Sequence, residues 1–291
     1  MITVNELKEI NNEKYMKINE EYPKINRKWR SKKYITYLMI PYLENREVSY
    51  SGVNFLNKKV YHQKENKEEE EGEEVYRWFH RRNNLICNHK FLREILNQEK
   101  RLITDLFSTV NIYDPKDIEE LLKPGVSRYQ KKQFFKRKTP KYHRLVFDID
   151  SEGDTVEERI KKSYNETLKL CRHLNDEGYR YVINFSGGKG FHVRVDEYIE
   201  SKKEWKEKAL RIAEDVCIDD SIYSSRREFR VPYSLHGLSG LMALPLNKRE
   251  FREVGKRINE DKDIRSYFCL DRVVHEVRLL NRKIQPYELD F

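Results

Sequence analysis

The sequence predicts an α+β (mixed α/β) domain with a central mixed sheet flanked by helices. Three observations carry this reading. Residues 144–150, RLVFDID, alternate like a strand. Residues 155–177 repeat apolar side chains at helical spacing. Residues 179–186 and 191–195 look like two strands around a glycine turn.

Each element has its own warrant. In 144–150, Leu145, Phe147 and Ile149 share one face, and Val146, Asp148 and Asp150 share the other. In the helix that follows, Val156, Ile160, Tyr164, Leu168, Cys171 and Leu174 recur on one stripe, and Gly178 supplies a stop. In FHVRV, Phe191, Val193 and Val195 oppose His192 and Arg194. Ser201 and Glu204 form a capping-box pattern opening a helix to about Val216, with Trp205, Ala209 and Ile212 on its buried side. EFRVPYS and LMALPL read as two strands around a glycine-containing turn. DRVVHEVRLLNRKI near the C-terminus reads as helix, with Val273, Val274, Val277 and Leu280 on its apolar face.

The chain has 291 residues and is read as one domain: an N-terminal region over residues 1–140, a core over 141–250, and C-terminal helices over 251–291. Residues 64–74, KENKEEEEGEE, predict an acidic surface loop. The net charge of +9 favours an acidic partner, and nucleic acid is the commonest. Residues 128–144 carry eight basic residues and no acid, with Tyr129, Phe134, Phe135 and Tyr142 among them. That suits a groove tracking a nucleic-acid backbone, or equally a solvated connector. No apolar run long enough for a membrane span occurs, and no signal peptide is visible. The scattered Cys87, Cys171, Cys217 and Cys269 suggest reduced thiols and a cytoplasmic location.

Three constellations could do chemistry. Asp148 and Asp150, two apart on a strand, share a face and could hold Mg²⁺ or Mn²⁺ for phosphoryl chemistry; alternatively they are surface carboxylates. Ser186, Gly187, Gly188, Lys189, Gly190, Phe191 and His192 form a glycine turn. Its N–H groups, with Ser186, Lys189 and His192, could cradle a triphosphate, or the turn is a plain hairpin. Asp219 or Asp220 could complete a metal site, and Arg230 and His236 could hold phosphate oxygens; a loop pair and a strand would look the same.

The order DxD, S-G-x-x-G-x-H, then an acidic residue followed by R-x-P-x-S-L-H-G-x-S-G resembles the catalytic small subunit of archaeal and eukaryotic DNA primase. The resemblance covers about residues 144–246, with a fainter echo at Arg46-Glu47. It implies a catalytic domain of the archaeo-eukaryotic primase superfamily that makes primers on single-stranded DNA from NTPs or dNTPs. It implies metal binding by Asp148, Asp150 and a third carboxylate. The family spacing falls one residue short of Asp219, so Asp219 is the first choice and Asp220 the second. Ser186, Gly187, Lys189, His192, Arg230 and His236 would bind the nucleotide. A large primase subunit or other replication proteins, in a nucleoid-associated setting, would be the partners. The family's zinc cluster is not expected here, because Cys87 with His80 or His89 lacks two more ligands. Two other readings remain: a gap-filling or translesion polymerase of the same superfamily, and a catalytically silent nucleic-acid-binding subunit.

Overall fold

A computed structural model describes residues 38–55, 76–86, 89–97, 101–224, 226–237 and 239–270. The acidic loop 64–74, Cys87 and the C-terminal helix with Val273 to Leu280 lie outside the described residues.

Two antiparallel sheets organise the chain. The first contains β1 (Val48–Phe55), β2 (Tyr76–Asn84), β3 (Arg101–Thr109) and β8 (Glu228–Arg230), in the order β2-β1-β3-β8. The second contains β4 (Asn111–Ile112), β5 (Tyr142–Ile149), β6 (Tyr181–Phe185), β7 (Phe191–Ile199) and β9 (Leu244–Leu246), in the order β4-β5-β7-β6-β9. The α+β class therefore holds, but the expected mixed sheet does not: every pairing among the described residues is antiparallel. The reason is topological. The crossover from β5 to β6 leaves a one-strand gap, and β7 turns back through the glycine loop to fill it.

Six α-helices lie among the described residues: α1 (His89–Leu96), α2 (Pro115–Leu122), α3 (Arg128–Arg137), α4 (Val156–Asp176), α5 (Lys202–Ile212) and α6 (Lys248–Asn259). Thr155 caps α4, its Oγ1 accepting from the Glu158 N–H, and Gly178 takes a φ of +75° just past its end. Ser201 caps α5 through the Glu204 N–H. This helix stops at Ile212, earlier than the apolar spacing suggests, because the spacing continues through a turn that keeps Val216 buried.

The apolar face of β5 and β7 meets α4, α5 and α6. Leu145, Phe147, Ile149, Phe191, Val193 and Val195 are fully buried there, with Ile160, Leu174, Trp205 and Ala209 from the helices. Tyr164, Phe191 and Phe251 pack ring against ring. The indole N–H of Trp205 donates to the Arg144 carbonyl, and the Tyr223 hydroxyl to the Val146 carbonyl, so β5 is pinned along its length.

The basic segment is not a connector. Ser127 and Gln130 make a reciprocal capping box, and residues 128–137 form α3. Phe135 is buried with Leu85, Tyr113, Ile118 and Leu121, and Phe134 packs on this cluster. Two of the four aromatics are therefore core rather than stacking platforms, while Tyr129 is exposed.

Candidate active site

The site sits where β5 ends. Asp148 is the penultimate residue of β5 and faces His192 of β7, which in turn pairs with Asn184 of β6. Asp150 follows the strand. The Asp219 N–H donates to the Asp148 carbonyl at 2.9 Å, which brings the third carboxylate to the same strand end. Asp219 also caps the 3-10 turn Asp220–Ile222 through the Ser221 N–H.

Asp148, Asp150 and Asp219 feel one another. Burial, then Asp150, then Asp219 push the Asp148 carboxyl up from the usual range to about 7. Burial raises Asp150 too, against the pull of Lys189. Asp219 is among the charges raising both. Asp220 is not: its exposed carboxylate pairs with Lys206 at 3.3 Å. Around the three acids, Lys189 Nζ is 3.5 Å from Asp150, and Arg227 is 3.0 Å from Asp219. His192 Nε2 lies 3.5 Å from Asp148, yet burial and two arginines hold this imidazole down near 3, so the contact is not an ion pair. With these neighbours in place, no three His, Cys, Asp or Glu side chains among the described residues close into a ready metal cage. The donor set nevertheless suits a hard divalent cation: carboxylate oxygens alone, partly buried, and carrying mutual repulsion that such an ion relieves.

The glycine turn wraps around Ser186. Its Oγ accepts from the Gly188 and Gly190 N–H groups at 3.3 and 3.2 Å. Those two N–H groups are thus turned inward, and the expected cradle of loop N–H donors is reduced by them. Through these two bonds Ser186 shapes the loop. Gly190 is obligatory: a Cβ would lie 2.1 Å from Asp150 Oδ1 and 2.2 Å from the Ile149 carbonyl. Gly187 adopts a φ of +86°, and a Cβ there would meet His236 at 3.1 Å and Arg230 at 3.4 Å.

Arg230 and His236 reach this loop from the other sheet. After β8 the chain crosses between sheets, with Val231 bonded to Leu106 of β3 and Leu235 bridged to Met242 just before β9. The two segments read as flanking strands therefore end in different sheets. Ser239 Oγ donates to the Gly187 carbonyl, tying the crossing to the glycine turn. His236 Nδ1 accepts from the Ser239 N–H, so Nε2 carries the ring proton, on the side facing Gly188.

Three buried charged groups that support the site have no assigned role in the sequence reading. Asp105 of β3 pairs with Arg230 and accepts from the Gly237 N–H at 3.0 Å. Glu47, fully buried, binds the Arg226 guanidinium through both oxygens. Arg194 of β7 donates to the Arg230 carbonyl at 3.3 Å. An acid in the middle of the apolar strand RLITDLFST was the available signal for Asp105. Arg46 donates to the Thr109 and Val110 carbonyls, an architectural role.

No protein-family model matches the chain. It is similar to the DNA primase small subunit PriS of Saccharolobus solfataricus, 29% identical over 120 residues, 31% of this chain and 36% of the relative. A PriS of Saccharolobus islandicus is 30% identical over the same length and shares. The chain thus matches about a third of the length of these curated relatives. Among solved structures it is similar to the polymerase domain of Mycobacterium tuberculosis Ligase D in complex with DNA. There the TM-score is 0.45 and the identity 15%, over 84% of this chain and 90% of that one. A third of this chain is therefore primase-like in sequence. No helix among the described residues is long and apolar enough to cross a membrane.

Proposed function

We propose that the chain is a metal-dependent nucleotidyltransferase of the primase type, which joins NTPs or dNTPs on a single-stranded DNA template. One observation carries the reading: Asp148, Asp150 and Asp219 crowd one strand end beside a glycine turn backed by Arg230 and His236. The partial likeness to PriS supports it. A catalytically silent fold has no reason to sustain three repelling carboxylates, whereas a phosphoryl-transfer site needs them.

Mg²⁺ or Mn²⁺ held by Asp148, Asp150 and Asp219 would make the attacking 3′-hydroxyl more acidic and neutralise charge on the transferring phosphoryl group. The protein's own side chains do the rest. Lys189 and Arg230 supply positive charge for the triphosphate, and Asp105 fixes the Arg230 fork. Neutral His192 and His236, both held near 3 by burial first, contribute directed hydrogen bonds without charge. Ser186 keeps the turn closed so that Gly187 and Gly188 lie against His236. The exposed Arg128, Lys132, Lys136 and Arg137 of α3 would draw in the template electrostatically. A large primase subunit or replication proteins, in a nucleoid-associated setting, remain the partners the resemblance implies.

The test is primer-independent synthesis on single-stranded DNA with labelled nucleotides and Mg²⁺ or Mn²⁺, beside the Asp148→Asn/Asp150→Asn variant. Short products from the wild type alone support the proposal. Extension of an annealed primer without initiation would replace it with a gap-filling polymerase. DNA binding with neither activity, and no metal-dependent nucleotide binding, would leave a silent binding subunit.

A further inference from the structure

The sheet face that carries Asp148 and His192 continues away from the carboxylates. One step along, Arg194 stands between Val146 and Val182; beyond the bulge in β7, Arg144 stands opposite Tyr198. This end opens into a cleft of about 240 Å³ whose lining includes Arg46, Arg144, Arg180 and Arg194. Two carboxylates, Glu44 and Asp196, also line it, so four positive charges meet two negative ones and the excess is two. Asp196 is engaged by Arg180 at 3.2 Å, and half of its side chain is in water.

Arg194 is the informative group. It is 5% exposed. Its Nη2 donates to the Arg230 carbonyl and its guanidinium lies 5.3 Å from the centre of the Tyr42 ring. Its buried Nε has no hydrogen-bond partner among the described residues. Burial, then Arg144, lowers its pKa to about 9, with Arg46 adding to the effect and no carboxylate among the main influences. A buried guanidinium with an idle N–H and arginine neighbours is costly unless an anion meets it.

We propose that this cleft is a second phosphoryl-binding site, with Arg194, Arg144 and Arg180 as its donors. The volume suits a phosphate or diphosphate group; a whole nucleotide, with sugar and base, needs a pocket of roughly 300 Å³ or more. The group is either the 5′-terminal phosphate of a nucleic-acid strand or free diphosphate. Through the Arg194 contact to the Arg230 carbonyl, an occupant here would bear on the candidate nucleotide site. The inference stands on the cleft and does not require the catalytic reading.

The test is calorimetric titration of the full chain with inorganic pyrophosphate in metal-free buffer. Wild type, Lys189→Ala and Arg144→Gln/Arg180→Gln are compared, with circular dichroism confirming the fold of each. The double variant should bind at least about tenfold more weakly than the wild type, and Lys189→Ala should lose less than the double variant does. A second arm compares 5′-phosphorylated and 5′-hydroxyl single-stranded oligonucleotides. A preference for the phosphorylated strand that disappears in the double variant identifies a strand end; pyrophosphate binding without that preference identifies free diphosphate. The proposal is overturned if neither probe binds, or if binding survives Arg144→Gln/Arg180→Gln. Because no synthesis is measured, a failure of the nucleotidyltransferase reading would leave this result intact.

Discussion

Asp148→Asn should end synthesis and, in chelator, make the protein more stable. The side chain of Asp148 is only 16% exposed and faces Asp150 and Asp219, which with burial move its ionisation from 3.8 to about 7. Below pH 4 the carboxyl is protonated in both folded and unfolded chains and costs nothing. Between pH 4 and 7 the unfolded chain releases the proton while the fold retains it, so stability falls as pH rises. Above pH 7 the full penalty is present, on the order of 4 kcal/mol before relaxation and about 2–4 kcal/mol after it. Asparagine removes the charge at nearly constant volume. Urea denaturation in EDTA should therefore find the variant about 2–4 kcal/mol more stable than the wild type at pH 8, the gap closing toward pH 4. Added Mg²⁺ should raise the melting temperature of the wild type and not that of the variant, since only the wild type keeps the donor set. Equal stability at pH 8, or a gap independent of pH, would refute the account of the three carboxylates as a strained cluster.

Three further outcomes follow from neighbouring contacts. Asp105→Asn strips the buried partner from Arg230, and should cost about 3–5 kcal/mol in denaturation while weakening nucleotide binding. Gly190→Ala drives a methyl group to 2.1 Å from Asp150 Oδ1 and 2.2 Å from backbone; denaturation should show a loss of about 1–3 kcal/mol, with synthesis abolished. His143 is buried, bonded to Asn111 at 2.7 Å and stacked on Trp205, and burial followed by Lys202 lowers its pKa from 6.5 to about 4. The unfolded chain takes up a proton below pH 6.5 before the fold does, so His143 costs stability as pH falls from 6.5 to 4. His143→Gln should remove about 2–3 kcal/mol of that decline in a pH series of melts.

What the sequence disclosed was mostly local. The stripe Ile160, Tyr164, Cys171, Leu174 and the caps Thr155 and Ser201 can each be read within about a dozen residues, because helical period and end-capping are short-range physics. The alternation around Asp148 gave the face it occupies. Strand partners were not legible: antiparallel pairing of β5 with β7 depends on how the chain returns through the glycine turn, and a parallel neighbour would have left the same alternation. The supports of the site are longer-range still. Arg230 and Asp105 are 125 residues apart, and Arg226 and Glu47 are 179 apart. A charge in an apolar strand announces a partner but not which one. Asp219, and not Asp220, donates its backbone N–H to the Asp148 carbonyl, a difference that adjacent identical residues cannot reveal.

The two ends of one sheet face carry opposite charge clusters that do not neutralise each other. Asp148 and Arg144 are four residues apart on β5, roughly 13 Å along an extended strand. That exceeds the Debye length of about 8–10 Å at physiological ionic strength, and side chains cannot bridge it. Between them stands a row in which Val146 and Val182 flank Arg194, whose guanidinium is bent toward Tyr42 and Arg230 rather than toward the acids. Val146 holds Asp148 and Arg144 apart on β5, and the cationic contacts of the acids come instead from Lys189 on Asp150 and Arg227 on Asp219. Val146 and Val182 contribute to such a face by keeping its ends from pairing, and that contribution is independent of the apolar area they bury.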